Sequence, residues 1–135
     1  MKLKHILLVD DSRATNFIHE IVIRETELVE VISIVENGLE ALEYLQEESN
    51  IKPDLILLDI NMPKMNGWEF LEKYEFLDRQ LKAEVVLVML TTSMNPGDRS
   101  KAGRFPEVTG FENKSLSKEK FEAIIEKYFP NQVSV

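Results

Sequence analysis

The sequence predicts an α/β fold, a doubly wound sheet of five parallel strands with helices on both faces. The apolar runs at 6–9, 55–58 and 85–90 are short and continuous rather than alternating, as in strands buried on both sides. Segments of helical periodicity separate the runs, so strand and helix alternate five times. The strands also end alike, on residues that carry chemistry: Asp10-Asp11, Asp59, Thr91-Thr92 and Lys114.

Taken in order, Ile6-Leu7-Leu8-Val9 forms the first strand. Asp11 or Ser12 then caps a helix whose buried face is predicted to carry Ala14, Phe17, Ile18, Ile21 and Val22. Ile23 falls off that face, as an apolar residue a partner could touch. Val29 to Val35, interrupted by Glu30 and Ser33, reads as an edge strand, followed by a helix marked by Leu39, Ala41, Leu42 and Leu45. Leu55-Ile56-Leu57-Leu58 leads to Asp59, and a third helix begins at Gly67-Trp68. After Val85 to Leu90, Asn95-Pro96 supplies a cap and a proline at the first helical position. That fourth helix is weak, with only Ala102 and Phe105 to anchor it before Pro106. Gly110 to Asn113 has low strand propensity and forms the other edge. Ser117 caps a last helix that buries Phe121, Ile124, Ile125 and Tyr128.

At 135 residues the chain fits one domain, residues 1–135, with no linker to an output domain. A formal charge of −8 disfavours nucleic acid and anionic membranes as direct partners. The lack of cysteine excludes a disulfide scaffold and a thiolate metal site. Four apolar residues before Asp10 are too few for a signal-peptide core, and no run could span a bilayer. A cytoplasmic protein is expected.

Right-handed crossovers bring the C-terminal ends of parallel strands to one edge, where such sheets bind ligands. Asp10, Asp11, Asp59, Thr91 and Lys114 should therefore meet. Three ionised carboxylates within about 5 Å repel by roughly 3 kcal/mol per pair at an effective dielectric near 20. A hard divalent cation relieves this, and Mg²⁺ suits carboxylates, a carbonyl and retained waters. Asp11 and Asp59 would be direct ligands, Asp10 a ligand through water, and the backbone carbonyl of Asn61 a further one. Asp59 could then attack a phosphorus that carries a good leaving group. Lys114 and the Thr91 hydroxyl would take phosphoryl oxygens.

At these residues, and in Asp59-x-x-Met62-Pro63-x-Met65-x-Gly67, the chain resembles the receiver domains of two-component response regulators, in their stand-alone, CheY-like form. The resemblance implies a flavodoxin-like sheet of order 2-1-3-4-5 and a phosphorelay function without turnover of an external substrate. It makes Asp59 the phosphoacceptor, Asp10 and Asp11 the acidic pair, Asn61 the carbonyl ligand, Thr91 the switch hydroxyl, Lys114 the phosphate-pairing lysine and Phe111 the aromatic switch. It implies Mg²⁺, with Mn²⁺ as a substitute, and a histidine kinase or histidine phosphotransfer protein as donor. The downstream target is a protein, and the chain is a monomer or a phosphorylation-dependent dimer. Asn61 and Ser93 lie where receivers tune water access.

Ser115 departs from the family pattern, in which proline follows the lysine, often through a cis bond. A cis bond to serine costs about 2.5–4 kcal/mol against about 0.5–1 for proline, so a trans bond, or else a strained one, is expected. Phe111 also lacks the hydroxyl of the tyrosine often found there. A phosphatase of the haloacid-dehalogenase type would need an acid at position 61, which is asparagine. A nucleotide- or flavin-binding protein would need a phosphate-cradling loop after the first strand, yet Asp10-Asp11-Ser12-Arg13 has no glycine. His5 and His19 are too isolated to suggest a metal or phosphohistidine site.

Overall fold

The computed structural model describes residues 3–77, 86–91 and 96–130. Val85, Thr92, Ser93 and Asn95, to which the sequence assigned a strand start, a strand end, a water-access position and a helix cap, lie outside the described residues. The elements are β1 (Leu3–Val9), α1 (Arg13–Thr26), β2 (Val29–Val35), α2 (Gly38–Gln46), β3 (Leu55–Asp59), α3 (Gly67–Tyr74), β4 (Val86–Thr91), α4 (Pro96–Ala102), β5 (Val108–Asn113) and α5 (Lys118–Tyr128). The strands pair in parallel in the order β2-β1-β3-β4-β5, as expected.

Side chains along β1 and β3 point alternately to two cores, which is why both strands are apolar throughout. Leu7, Val9, Ile56 and Leu58 pack with Ala41, Leu42 and Leu45 of α2, Phe70 and Leu71 of α3, and Ala102 of α4. Ile6, Leu8, Leu55 and Leu57 pack with Ile23 of α1 and with Phe121, Ile124 and Ile125 of α5. β2 is an edge strand and leaves Val31 and Ile34 exposed. Ser117 caps α5, its side chain accepting from the Lys120 N–H at 3.0 Å. No helix among the described residues is long and apolar enough to cross a membrane.

Helix α1 differs from its expected orientation. Asn16, His19 and Ile23 face inward, while Phe17, Ile18 and Ile21 are 65%, 56% and 44% exposed. Ala14 is exposed as well, and Ile23, expected at the surface, is fully buried. Apolar periodicity identified the helix but not its inward face, because two buried polar side chains on that face have backbone acceptors. Ser12, not Asp11, is the cap: its hydroxyl accepts from the Thr15 N–H at 3.1 Å. Leu39 also lies outward, and β5 begins at Val108, two residues before the expected start.

Candidate functional site

Asp10 directly follows β1, Asp59 ends β3, Thr91 ends β4, and Lys114 directly follows β5. All four therefore lie at the C-terminal edge of the sheet, where adjoining strands are in register: Asp59 opposite Leu90, and Thr91 opposite Asn113. Lys114 Nζ lies 2.9 Å from Asp10 Oδ2 and 3.3 Å from Asp59 Oδ2. Ligand atoms of Asp10, Asp11 and Asp59 fall within 4.8 Å of one another. Asp10, Asp59 and Thr91 are buried, whereas Asp11 is exposed at the mouth.

Local structure aims each group. Asp10 Oδ1 accepts from the Ser12 N–H at 2.9 Å, and the Asp10 N–H donates to Val35 O at 3.1 Å. The Lys114 N–H donates to Thr91 O at 2.7 Å, tying the end of β5 to the end of β4. There are no cis peptide bonds among the described residues, so Lys114–Ser115 is trans as expected. Ser115 uses the N–H that a proline would lack, donating to Asn113 Oδ1 at 2.8 Å. Lys120 Nζ holds the Asn113 carbonyl at 2.8 Å.

The loop after Asp59 accounts for the spacing to Gly67. The Gly67 N–H reaches back to Ile60 O at 2.8 Å, and Met65 O accepts from the Gly38 N–H at 2.9 Å. A Cβ at Gly67 would lie 2.6 Å from Asp59 O, so only glycine lets α3 start this close to the strand end. Asn61 lies in this loop, two residues past Asp59. Phe111, on β5, is half-buried with the Arg99 guanidinium 5.6 Å from its ring centroid.

Among the described residues, three carboxylates share the Lys114 ammonium here, a deficit of positive charge. Burial, and then the nearby Asp10 carboxylate, push the Asp59 carboxyl above its ordinary pKa, against the lowering effect of Lys114. Burial alone would lower the Lys114 pKa, but the Asp10 and Asp59 carboxylates outweigh it and hold the ammonium above its usual value. The donor set, oxygen-only and anionic, fits a hard divalent cation.

Two residues of this neighbourhood escaped the sequence reading. Asn16 Nδ2 donates to Asp10 O at 2.8 Å, and His19 Nε2 lies 3.1 Å from Lys114 O. Their i, i+3 spacing just after an acidic pair was the available signal, but polar side chains in a helix are ordinarily read as its solvent face.

A family model for the response regulator receiver domain matches residues 6–126. Response regulator Rcp1 of Synechocystis is 37% identical over 99 residues, which cover 70% of this chain and 66% of that protein. A protein-glutamate methylesterase/protein-glutamine glutaminase of Methanospirillum hungatei is 34% identical over 64% of this chain and 24% of its own length. The chain thus spans just under two thirds of the first relative and about a quarter of the second. The crystal structure of a two component response regulator from Cytophaga hutchinsonii superposes with a TM-score of 0.85 at 31% identity, covering 94% of this chain and 97% of that one. The Mn²⁺-bound form of Rcp1 superposes with a TM-score of 0.74 at 32% identity, covering 98% of this chain and 97% of that one.

Proposed function

Because the chain belongs to the response regulator receiver domain family, we propose that it acts as a phosphoacceptor in a two-component phosphorelay, with Asp59 as the residue modified. The observation that carries this is the placement of Lys114 Nζ between Asp10 and Asp59, with Asp11 in the same cluster. Asp10, Asp11 and Asp59, with the Asn61 carbonyl, would hold Mg²⁺ or Mn²⁺, which supplies neutralisation of charge on the phosphoryl oxygens. A carboxylate oxygen of Asp59 attacks the phosphorus as the donor's P–N bond breaks and its imidazole departs. Lys114 pairs with one phosphoryl oxygen, and the Thr91 hydroxyl donates to another. The acyl phosphate adds about −1.5 to −2 charges at the sheet edge.

Drawing Thr91 inward moves the end of β4 and lets the Phe111 ring follow, changing the surface formed by β4, α4 and β5. α4 suits such a change because it has seven residues and a single buried anchor, Ala102. An unidentified protein target reads the change. The domain catalyses its own phosphorylation and dephosphorylation. Incubation with acetyl phosphate and Mg²⁺ tests this reading by intact mass. The parent should gain one phosphoryl group, chelation should prevent the gain, and Asp59→Asn should gain none. An unmodified parent, or equal modification of Asp59→Asn, would contradict it.

The phosphodonor would dock on the outward face of α1. Phe17, Ile18 and Ile21 are exposed there, and an open groove of about 420 Å³ borders Ile18, lined also by His19, Lys114 and Leu116 among others. Ile18→Glu should slow transfer from a phosphohistidine protein about tenfold, the effect of losing one interface anchor, and leave the acetyl phosphate rate unchanged. Equal rates with the protein donor would remove α1 from the docking surface.

A further inference from the structure

Helix α1 buries polar side chains and exposes apolar ones, an arrangement that needs a physical reason. Asn16 and His19 are only 3% and 5% exposed, whereas Phe17, Ile18 and Ile21 stand in solvent. Turning the apolar residues inward would bury more hydrophobic area. The orientation adopted instead places two donors, one helical turn apart, on the backbone carbonyls of Asp10 and Lys114. A carbonyl can only accept, so His19 Nε2 carries the hydrogen. Burial lowers the imidazole pKa and favours this neutral form.

Given the phosphoacceptor role proposed above, we propose that His19 is a positioning residue for Lys114, holding its carbonyl so that Nζ is presented to Asp59. The peptide units of Lys114 are gripped on both sides: its N–H by Thr91 O at 2.7 Å and its carbonyl by His19 at 3.1 Å. In this chain the turn at residue 115 is not stiffened by a proline ring, and side chains hold it instead. Ser115 N–H on Asn113 Oδ1, Lys120 Nζ on Asn113 O and His19 on Lys114 O are the three ties. Of these, the His19 bond alone reaches the lysine itself, and it comes from the helix that also holds Asp10 through Asn16. Helix α1 thereby ties Asp10 and the lysine to one element.

The test compares His19→Leu and His19→Met, which lack a donor, with His19→Gln, whose amide can donate at a similar reach. Thermal unfolding checks that each is folded, and the use of two donor-free variants keeps the test available if one of them is not. With acetyl phosphate and Mg²⁺, the donor-free variants should be phosphorylated about tenfold more slowly, since displacements of about 1 Å can cost up to 100-fold. His19→Gln should recover to within about threefold of the parent. In a Lys114→Ala background, removing the His19 donor should change nothing further, which a general packing role would not produce. Donor-free variants within twofold of the parent, no rescue by glutamine, or an equal slowing without Lys114 would each overturn the assignment. A parent that takes up no phosphoryl group would overturn the phosphoacceptor reading and this inference together.

Discussion

Lys114→Ala is expected to slow phosphorylation of Asp59 by about 100- to 1,000-fold, the usual cost of removing one preorganised charge donor from a developing anion. In the metal-free protein it also leaves the Asp10 and Asp59 carboxylates, now bridged by Lys114 Nζ at 2.9 and 3.3 Å, without that counter-charge. At a separation near 5 Å their repulsion is roughly 3 kcal/mol at an effective dielectric of 20, and solvent screening at the sheet edge reduces this to about 2 kcal/mol. The metal-free variant should lose about that much stability, and Mg²⁺ should restore most of it.

The pH dependence has a definite sign. Asp59 already has a raised pKa in the fold, and Lys114 is among the groups that lower it, so the variant raises it further. A carboxyl raised in the fold binds its proton more tightly there than in the unfolded chain. Stability of the metal-free variant should therefore increase as pH falls through the folded Asp59 value, and the gap to the parent should narrow. Urea unfolding of both proteins at neutral and mildly acidic pH, with and without Mg²⁺, measures this. A variant as stable as the parent at neutral pH without metal would contradict it.

Gly67→Ala is the second substitution with a large expected effect, although alanine normally favours a helix by about 0.8–1.0 kcal/mol over glycine. Here the new methyl would lie 2.6 Å from Asp59 O and 3.0 Å from Ile60 Cα, both backbone atoms that cannot swing aside. Either α3 withdraws or the end of β3 shifts. A loss of about 2–3 kcal/mol follows from such overpacking. Because the shifted atoms belong to Asp59 and its successor, phosphorylation should slow even where the variant remains folded. Gly103→Ala is the matched control, since its nearest neighbour would be Ser100 O at an ordinary 3.4 Å. Thermal unfolding should separate the two, and a Gly67→Ala protein as stable as the control would show that α3 can move freely.

The inner strands were legible because burial on two faces leaves a simple mark, a continuous apolar run, whereas their order came from the family resemblance. β1, β3 and β4 carry that mark, and the gathering of Asp10, Asp59 and Thr91 at one edge follows from parallel topology. The edge β2 was equally clear from its interruptions. Helix α1 was not, and the reason is chemical. Hydrophobic periodicity assumes that burial goes to apolar side chains, but Asn16 and His19 are buried on backbone carbonyls that belong to distant residues. Those partners lie 6 and 95 positions away, and the longer separation leaves no local trace in the sequence. The trans peptide at Ser115 could be anticipated from cis–trans energetics, whereas the side chains that stiffen the turn could not.

We propose that Asp59, and neither carboxylate beside it, carries the phosphoryl group. Borohydride reduces an acyl phosphate to the corresponding alcohol, so an aspartyl phosphate becomes homoserine at its own position. After reaction with acetyl phosphate and Mg²⁺, reductive trapping and peptide mass mapping should place homoserine at position 59 alone. Homoserine at position 10 or 11, or none in a protein that has gained phosphoryl mass, would contradict it.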